Sequence, residues 1–264
     1  MTTSPDATLA PHDGAGASGA RPAMTQDEGR VMLEVEGIDA FYDSSQVLFG
    51  LSFKVHKGRT LALLGRNGAG KSTTMKSIAG IVHGRRGAVR LAGENIRGRQ
   101  PHQIARAGIA FVPEDRQIFP ELSVEDNLLI AAKRGSAGGD EWSLERVYDM
   151  LPLLKPLRTR LGGQLSGGEQ QMLTVGRALM GNPDVILLDE PSEGLAPIMV
   201  QKIGELVQRL RELGTTIVLA EQNLHFCLDL ADHAVVIDKG RDVFYGTIDD
   251  LNSSEDIKQR YLSV

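Results

Sequence analysis

The chain has little of what would tie it to an oxidising compartment, a membrane interior or a nucleic acid. Its 264 residues include one cysteine, Cys227, so no intrachain disulfide can form and nothing requires oxidising conditions. Long apolar runs are missing: residues 185–188 end at Asp189 and residues 217–220 end at Glu221. A membrane-spanning helix needs about 20 mainly apolar residues, so any membrane role must go through a partner. A basic excess is missing as well, since 29 Lys+Arg face 34 Asp+Glu for a net charge of −5. Domains that bind nucleic acid usually carry the opposite balance. No repeat and no heptad array is present, and the six histidines (His12, His56, His83, His102, His225, His233) show no metal-ligand spacing. What remains, 41% hydrophobic and 24% charged residues, is the composition of a soluble globular protein.

The first 30 residues stand apart, with six Ala, four Gly, four Thr, three Pro and Leu9 as the only branched aliphatic. Such a stretch cannot bury enough apolar surface to offset its ordering entropy, so a disordered tail is expected. It has neither an apolar secretion segment nor the arginines of a transit peptide. From residue 31 to 264 the pattern is one α/β domain. Short β-rich runs at 32–35, 61–64, 109–112, 185–188, 216–219 and 234–237 alternate with helical stretches at 71–78, 168–180, 198–213 and 224–230. That alternation favours a largely parallel sheet covered by helices. A glycine-rich patch at 135–139 is expected to be an exposed loop between helical segments.

Three blocks carry chemistry. The first is Gly65-Arg66-Asn67-Gly68-Ala69-Gly70-Lys71-Ser72-Thr73, which satisfies G-x-x-x-x-G-K-[ST] between an apolar strand and a helix. Its glycines let backbone N–H groups turn in around phosphate oxygens. The helix offers its positive end to the anion, Lys71 reaches the β/γ-phosphates, and Ser72 can ligate Mg²⁺. No G-x-G-x-x-G opens this helix, which excludes a dinucleotide fingerprint. The second block, Val185-Ile-Leu-Leu-Asp189-Glu190, ends a buried strand in two carboxylates. Buried charge without a partner is expensive. A cation resolves the cost, with Asp189 holding Mg²⁺ and Glu190 polarising the water that attacks the γ-phosphate. The third, Leu165-Ser166-Gly167-Gly168-Glu169-Gln170, places a capping serine and two glycines at the start of a helix, leaving backbone amides bare for a phosphate.

Together the three blocks resemble the ATP-binding subunit of ABC transporters, with Walker A, signature and Walker B motifs in that family's order and spacing. The resemblance spans residues 31–264. It implies a P-loop NTPase core of the RecA-like type, an antiparallel β subdomain and an inserted helical subdomain at about 115–180. It implies ATP and Mg²⁺ as ligands, and a head-to-tail pair of subunits that sandwich ATP between the Walker A of one and the signature of the other. By the same resemblance Tyr42 stacks on adenine, and the loop Val112-Pro-Glu114-Asp-Arg-Gln-Ile-Phe119 faces both Mg²⁺ and the membrane subunit.

Three positions depart from the commonest pattern. Glu114 replaces the Mg²⁺-facing Gln, Gln222 stands at the switch His, and Ala196 stands where Asp is usual. Glutamate can still ligate Mg²⁺, whereas glutamine cannot carry imidazolium charge. These departures, with the Phe-Pro-Glu-Leu-Ser-Val-Glu-Asp-Asn-Leu run and Gly-Leu-Ala-Pro-Ile, look like one of the two ATPases of branched-chain amino-acid importers. The implied partners are a second ABC ATPase, giving a heterodimer or a homodimer, two membrane permeases and, indirectly, a periplasmic or surface solute-binding protein, with no nucleic acid. The implied location is cytoplasmic, peripheral on the inner face of the membrane. The alternatives are a urea or amide importer of the same branch, the lipopolysaccharide-export ATPase, a non-transport ABC ATPase, and a nucleotide-binding subunit that never turns over.

Overall fold

A computed structural model describes residues 29–133 and 142–262. Residues 1–28 of the expected tail and the glycine-rich patch at 135–139 lie outside the described residues. The strands are β1 (Val31–Tyr42), β2 (Ser45–His56), β3 (Thr60–Leu64), β4 (Gly84–Leu91), β5 (Glu94–Asn95), β6 (Ile109–Val112), β7 (Val185–Asp189), β8 (Thr216–Glu221), β9 (His233–Asp238) and β10 (Arg241–Thr247). The helices that matter for the site are α1 (Lys71–Ile78), α2 (Pro101–Ala107), α3 (Val124–Leu129), α4 (Leu144–Met150), α5 (Gly167–Met180), α6 (Pro197–Glu212) and α7 (Leu224–Leu228).

The main sheet has the order β10-β9-β3-β8-β7-β6. β3, β6, β7, β8 and β9 run parallel, and β10 closes the edge antiparallel to β9. Strands buried on both faces need apolar residues at every position rather than at alternate ones. All five residues of β3, all five of β7 and all six of β8 are buried. The two faces feed two cores. Leu61, Leu63, Val185, Leu187, Val218 and Ala220 pack with Met75 and Ile78 of α1 and with the second sheet. Ala62, Leu64, Ile186, Leu188, Ile217 and Leu219 pack against α5 and α6.

The second sheet, β2-β1-β4-β5, is antiparallel. β1 turns Leu33, Val35, Ile38 and Ala40 inward, and a register shift between Val35 and Ile38 absorbs Gly37 at φ 57°. The expected strand at 32–35 lies within the first half of a twelve-residue strand. α3, α4 and α5 pack around Gly176, where an added Cβ would lie 3.0 Å from Leu128, 3.1 Å from Leu151 and 3.3 Å from Val147. A side chain there would need these three neighbours to give by a few tenths of an ångström. Among the described residues no helix is long and apolar enough to cross a membrane.

Candidate functional site

The strands β3, β7 and β8 end side by side, and their carboxyl ends carry the site. Beyond β3 the chain turns through Gly65 at φ 154°, Gly68 at φ 78° and Gly70 at φ 117° before α1 begins. No side chain fits at Gly65, since a Cβ would stand 2.4 Å from the Ile237 carbonyl oxygen. The loop is braced from below by Gly240, whose N–H donates to the Ala69 carbonyl at 2.8 Å. Arg66, Asn67 and Gly68 form its exposed tip, and the Arg66 guanidinium donates to the Arg260 carbonyl at 3.3 Å. α1 has no side-chain cap and no acidic residue in its first turn. Its first N–H groups and its positive end are left for an anion. Thr73, in that turn, is buried.

Lys71 is 3% exposed and reaches back over the loop. Its ammonium donates to the Gly65 carbonyl at 2.9 Å and lies 3.0 Å from Glu190 Oε1. Ser72 donates its hydroxyl to Asp189 Oδ1 at 3.0 Å. Burial pushes the Asp189 carboxyl up to about 6, against the lowering effect of that hydrogen bond. For Glu190, burial works upward, but hydrogen bonds with Glu193 and Lys71 outweigh it and leave the carboxyl below its ordinary value. Glu190 sits at φ 46°, an uncommon backbone for a residue with a side chain. Strain of this kind persists where surrounding contacts hold it, here the bond from Glu190 N–H to Ala220 O at 2.9 Å. The hydroxyl of Ser72 and the carboxylate of Asp189 form an all-oxygen donor pair, which suits a hard cation such as Mg²⁺.

Of the other expected residues, Glu114 is exposed at the end of β6 and lies near enough to act electrostatically on both Asp189 and Glu193. Neighbouring Gln117 turns away and donates to Asp115 at 3.0 Å. Tyr42, 46% exposed, ends β1 at the hairpin with β2. Leu48 of β2 lies under the loop, 2.9 Å from where a Cβ of Gly70 would be. Gln222 is exposed just past β8.

The Ser166–Gln170 block is built as a helix start. The Ser166 N–H donates to Glu169 Oε2 at 2.7 Å, and the Glu169 N–H donates back to Ser166 Oγ at 3.4 Å. The Arg116 guanidinium lies over Gly167, with Nη1 at 2.9 Å from a hypothetical Cβ. Gly168 is pressed by Met199 at 2.5 Å in the same sense. Gln170 donates to the Gly162 carbonyl at 3.3 Å. Among the described residues, no hydrogen bond joins this block to Gly65–Ser72.

Three polar residues escaped the sequence reading. Glu221 ends β8 as Asp189 ends β7, is 3% exposed, and accepts from the Ser192 N–H at 3.1 Å. Burial raises its carboxyl. A carboxylate closing an apolar run was the signal that could have found it. Glu193 closes the turn after Glu190, its N–H donating to the Glu190 carbonyl at 3.1 Å, and Asn127, 0% exposed, pins the loop at Phe119. Neither leaves a local pattern.

Comparison with known proteins follows the same lines. Residues 48–193 match the family described as ABC transporter. The chain is 40% identical over 231 residues to the high-affinity branched-chain amino acid transport ATP-binding protein BraG of Pseudomonas aeruginosa, covering 88% of this chain and 99% of that protein. It is 31% identical over 233 residues to the lipopolysaccharide export system ATP-binding protein LptB of Haemophilus influenzae, covering 88% and 97%. A crystal structure of the ADP conformation of an ATP-binding cassette of an ABC transporter superposes with a TM-score of 0.73 at 28% identity, over 87% of this chain and 97% of that one. With its nucleotide loop, paired carboxylates and capped signature helix on that fold, the chain belongs to the ATP-hydrolysing subunits of the ABC transporter family.

Proposed function

We propose that this subunit powers a bacterial importer of branched-chain amino acids. The observation that carries the substrate class is the 40% identity to BraG across 99% of that protein, against 31% to LptB. Subunits of this family work as dimers on membrane permeases. The finer arrangement proposed is a second, different ATPase subunit, two permeases and a solute-binding protein, with this chain peripheral on the inner face of the membrane.

The chemistry follows from the side chains. Incoming ATP lays its phosphates across the amides of Gly65–Thr73, and Lys71 exchanges Glu190 for the γ-phosphate. Tyr42 stacks on the adenine. Ser72 and Asp189, with Glu114 beside them, would hold Mg²⁺, which when bound would supply charge neutralisation for the phosphates. Among the described residues no three or more His, Cys, Asp and Glu side chains form a cage of their own. Mg²⁺ sites of this kind complete their shell with phosphate and water. Glu190, released from Lys71, accepts a proton from water as its oxygen attacks the γ-phosphorus and the bond to the bridging oxygen breaks. Ser166–Gln170 serve the ATP bound to the opposite subunit, and Gln222 contributes a neutral contact to the γ-phosphate of this one.

The test is uptake. The complex should be purified with its co-purifying permeases, reconstituted in proteoliposomes, and given its binding protein and ATP. ATP-dependent accumulation of labelled leucine, isoleucine or valine is expected. Uptake of urea or amides with none of these three would overturn the substrate class.

A further inference from the structure

Charge is spread unevenly along the chain. Residues 83–106 hold six arginines and one glutamate, with no lysine or aspartate, in a chain whose net charge is −5. Part of that surplus is neutralised within the fold. Arg90 pairs with Glu34 and Glu36, Arg99 pairs with Glu94, and Arg86 stands opposite Asp39 in the second sheet. Arg97 and Arg106 are left, and Lys133 joins them from the segment after α3. The Lys133 ammonium donates to the carbonyls of Ala105 and Arg106, each at 3.1 Å, which holds it at the carboxyl end of α2. The Arg97 guanidinium, ahead of α2, is fixed by bonds to the Gly87 and Gly84 carbonyls at 3.0 and 3.1 Å. Among the described residues none of these three cations has an anionic partner.

Two cavities flank α2. His83, Arg97 and Arg99 line one, and Arg106, Lys133 and Arg177 line the other; no Asp or Glu lines either. Ile104 is the buried residue of α2, so His102 and Arg106 lie open on its outer side. Aliphatic side chains stand bare beside the cations. Ile130, 60% exposed, lines the second cavity, and Ile81, 48% exposed, adjoins His83 of the first. We infer that this face is a contact with the bilayer itself: Arg97, Arg106 and Lys133, ranged about α2, meet the phosphate groups of anionic phospholipids. The inference rests on the placement of the subunit against the inner face of the membrane. Guanidinium forks match phosphate oxygens. Cations interleaved with aliphatic side chains make a surface suited to the headgroup region. Carboxylates of an acidic protein segment would satisfy the cations and leave the isoleucines in water.

Each cation at an anionic surface strengthens binding about fivefold, so three place the lipid dissociation constant on the order of 1–10 mM. The test is sedimentation of the full chain with vesicles of phosphatidylcholine alone, or of phosphatidylcholine mixed equally with phosphatidylglycerol. Binding to the mixed vesicles alone is expected, and it should vanish at about 1 M salt, where the Debye length is about 3 Å. Combining Arg97→Gln, Arg106→Gln and Lys133→Gln should weaken it roughly a hundredfold. Arg106→Gln alone, on an open helix face, should weaken it about fivefold without disturbing the fold. Combining Lys57→Gln, Lys155→Gln and Lys202→Gln removes the same charge from exposed positions elsewhere and should leave binding within about threefold of wild type. Equal sedimentation with both kinds of vesicle, or equal loss in the two triple variants, overturns the inference. So does a chain that ignores mixed vesicles yet loses its co-purifying permeases in the first triple variant, which would give the face to an acidic protein segment. The vesicle assay needs no permease and no solute, so its failure leaves the uptake result standing. Failed uptake with vesicle binding intact overturns the transport reading alone.

Discussion

Lys71 and Glu190 pair with each other, 3% and 8% exposed and 3.0 Å apart. ATP must compete with a buried carboxylate for the lysine. Lys71→Ala removes a charge-assisted contact worth about 1.5–3 kcal/mol, so ATP affinity should fall roughly ten- to a hundredfold. Glu190→Gln acts in the opposite sense on binding, because a neutral amide holds the ammonium less firmly. That variant should bind ATP at least as tightly as wild type while hydrolysis drops by about 10²–10⁴. Calorimetric titration of both variants, with phosphate release in the assembled complex, checks the pair. Unchanged affinity in Lys71→Ala would mean the loop does not cradle phosphate. Residues of this kind were legible because their spacing is itself the mechanism: G-x-x-x-x-G-K-S dictates a backbone shape and a lysine reach. Glu193 and Glu221 were not, since their meaning comes from a turn and a strand end that meet only in the fold.

At the scale of elements, periodicity told strands from helices where burial is complete. β3, β7 and β8 read as unbroken apolar runs because both faces are covered. β2 and β4 carry glycines and charged residues on a half-exposed sheet, and no run marked them. The loop between β6 and α3 shows the same limit. It holds Glu114 near Asp189 and carries Arg116 against Gly167, and its far end is fixed by one buried side chain. Asn127 Nδ2 donates to the carbonyls of Phe119, Leu122 and Ser123 at 2.9, 3.2 and 3.0 Å, while Oδ1 accepts from the Phe119 N–H at 2.9 Å. Replacing Asn127 by leucine takes the acceptor from the Phe119 N–H, at about 1–3 kcal/mol if it stays dry, while the carbonyls of Phe119, Leu122 and Ser123 keep the backbone N–H groups of Leu122, Gly162 and residue 127. Asn127→Leu should destabilise the chain by about 1–3 kcal/mol, read as a lower urea midpoint with an unchanged slope. A midpoint within error of wild type would mean that water takes over the bonds.

In the proposed dimer the two halves of each ATP site lie on different chains. Among the described residues Ser166–Gln170 bond within their own helix and to Gly162, while Gly65–Ser72 face Asp189 and Glu190. In that proposal a second chain brings the missing half to each. The half this chain lends outward is complete, whereas its own site has an exposed Gln222 past β8, which can donate a neutral hydrogen bond but no charge. Charge stabilisation dominates phosphoryl transfer, and losing one strong donor costs about 10²–10³ in rate. The site on this chain's own loop should therefore be the slower of two in a heterodimer. Ser166→Arg fills the outward-facing half and should abolish transport. Ser166→Ala serves as its control: it loses the cap, about 1 kcal/mol of stability, and leaves the space open, so transport should persist. Gln222→Ala should lower the rate no more than about tenfold, the loss of a neutral bond of about 0.5–1.5 kcal/mol. Solute uptake by the reconstituted complex, measured for all three variants, decides the matter. Severe loss in Gln222→Ala with little effect of Ser166→Arg would make this chain's own site the working one.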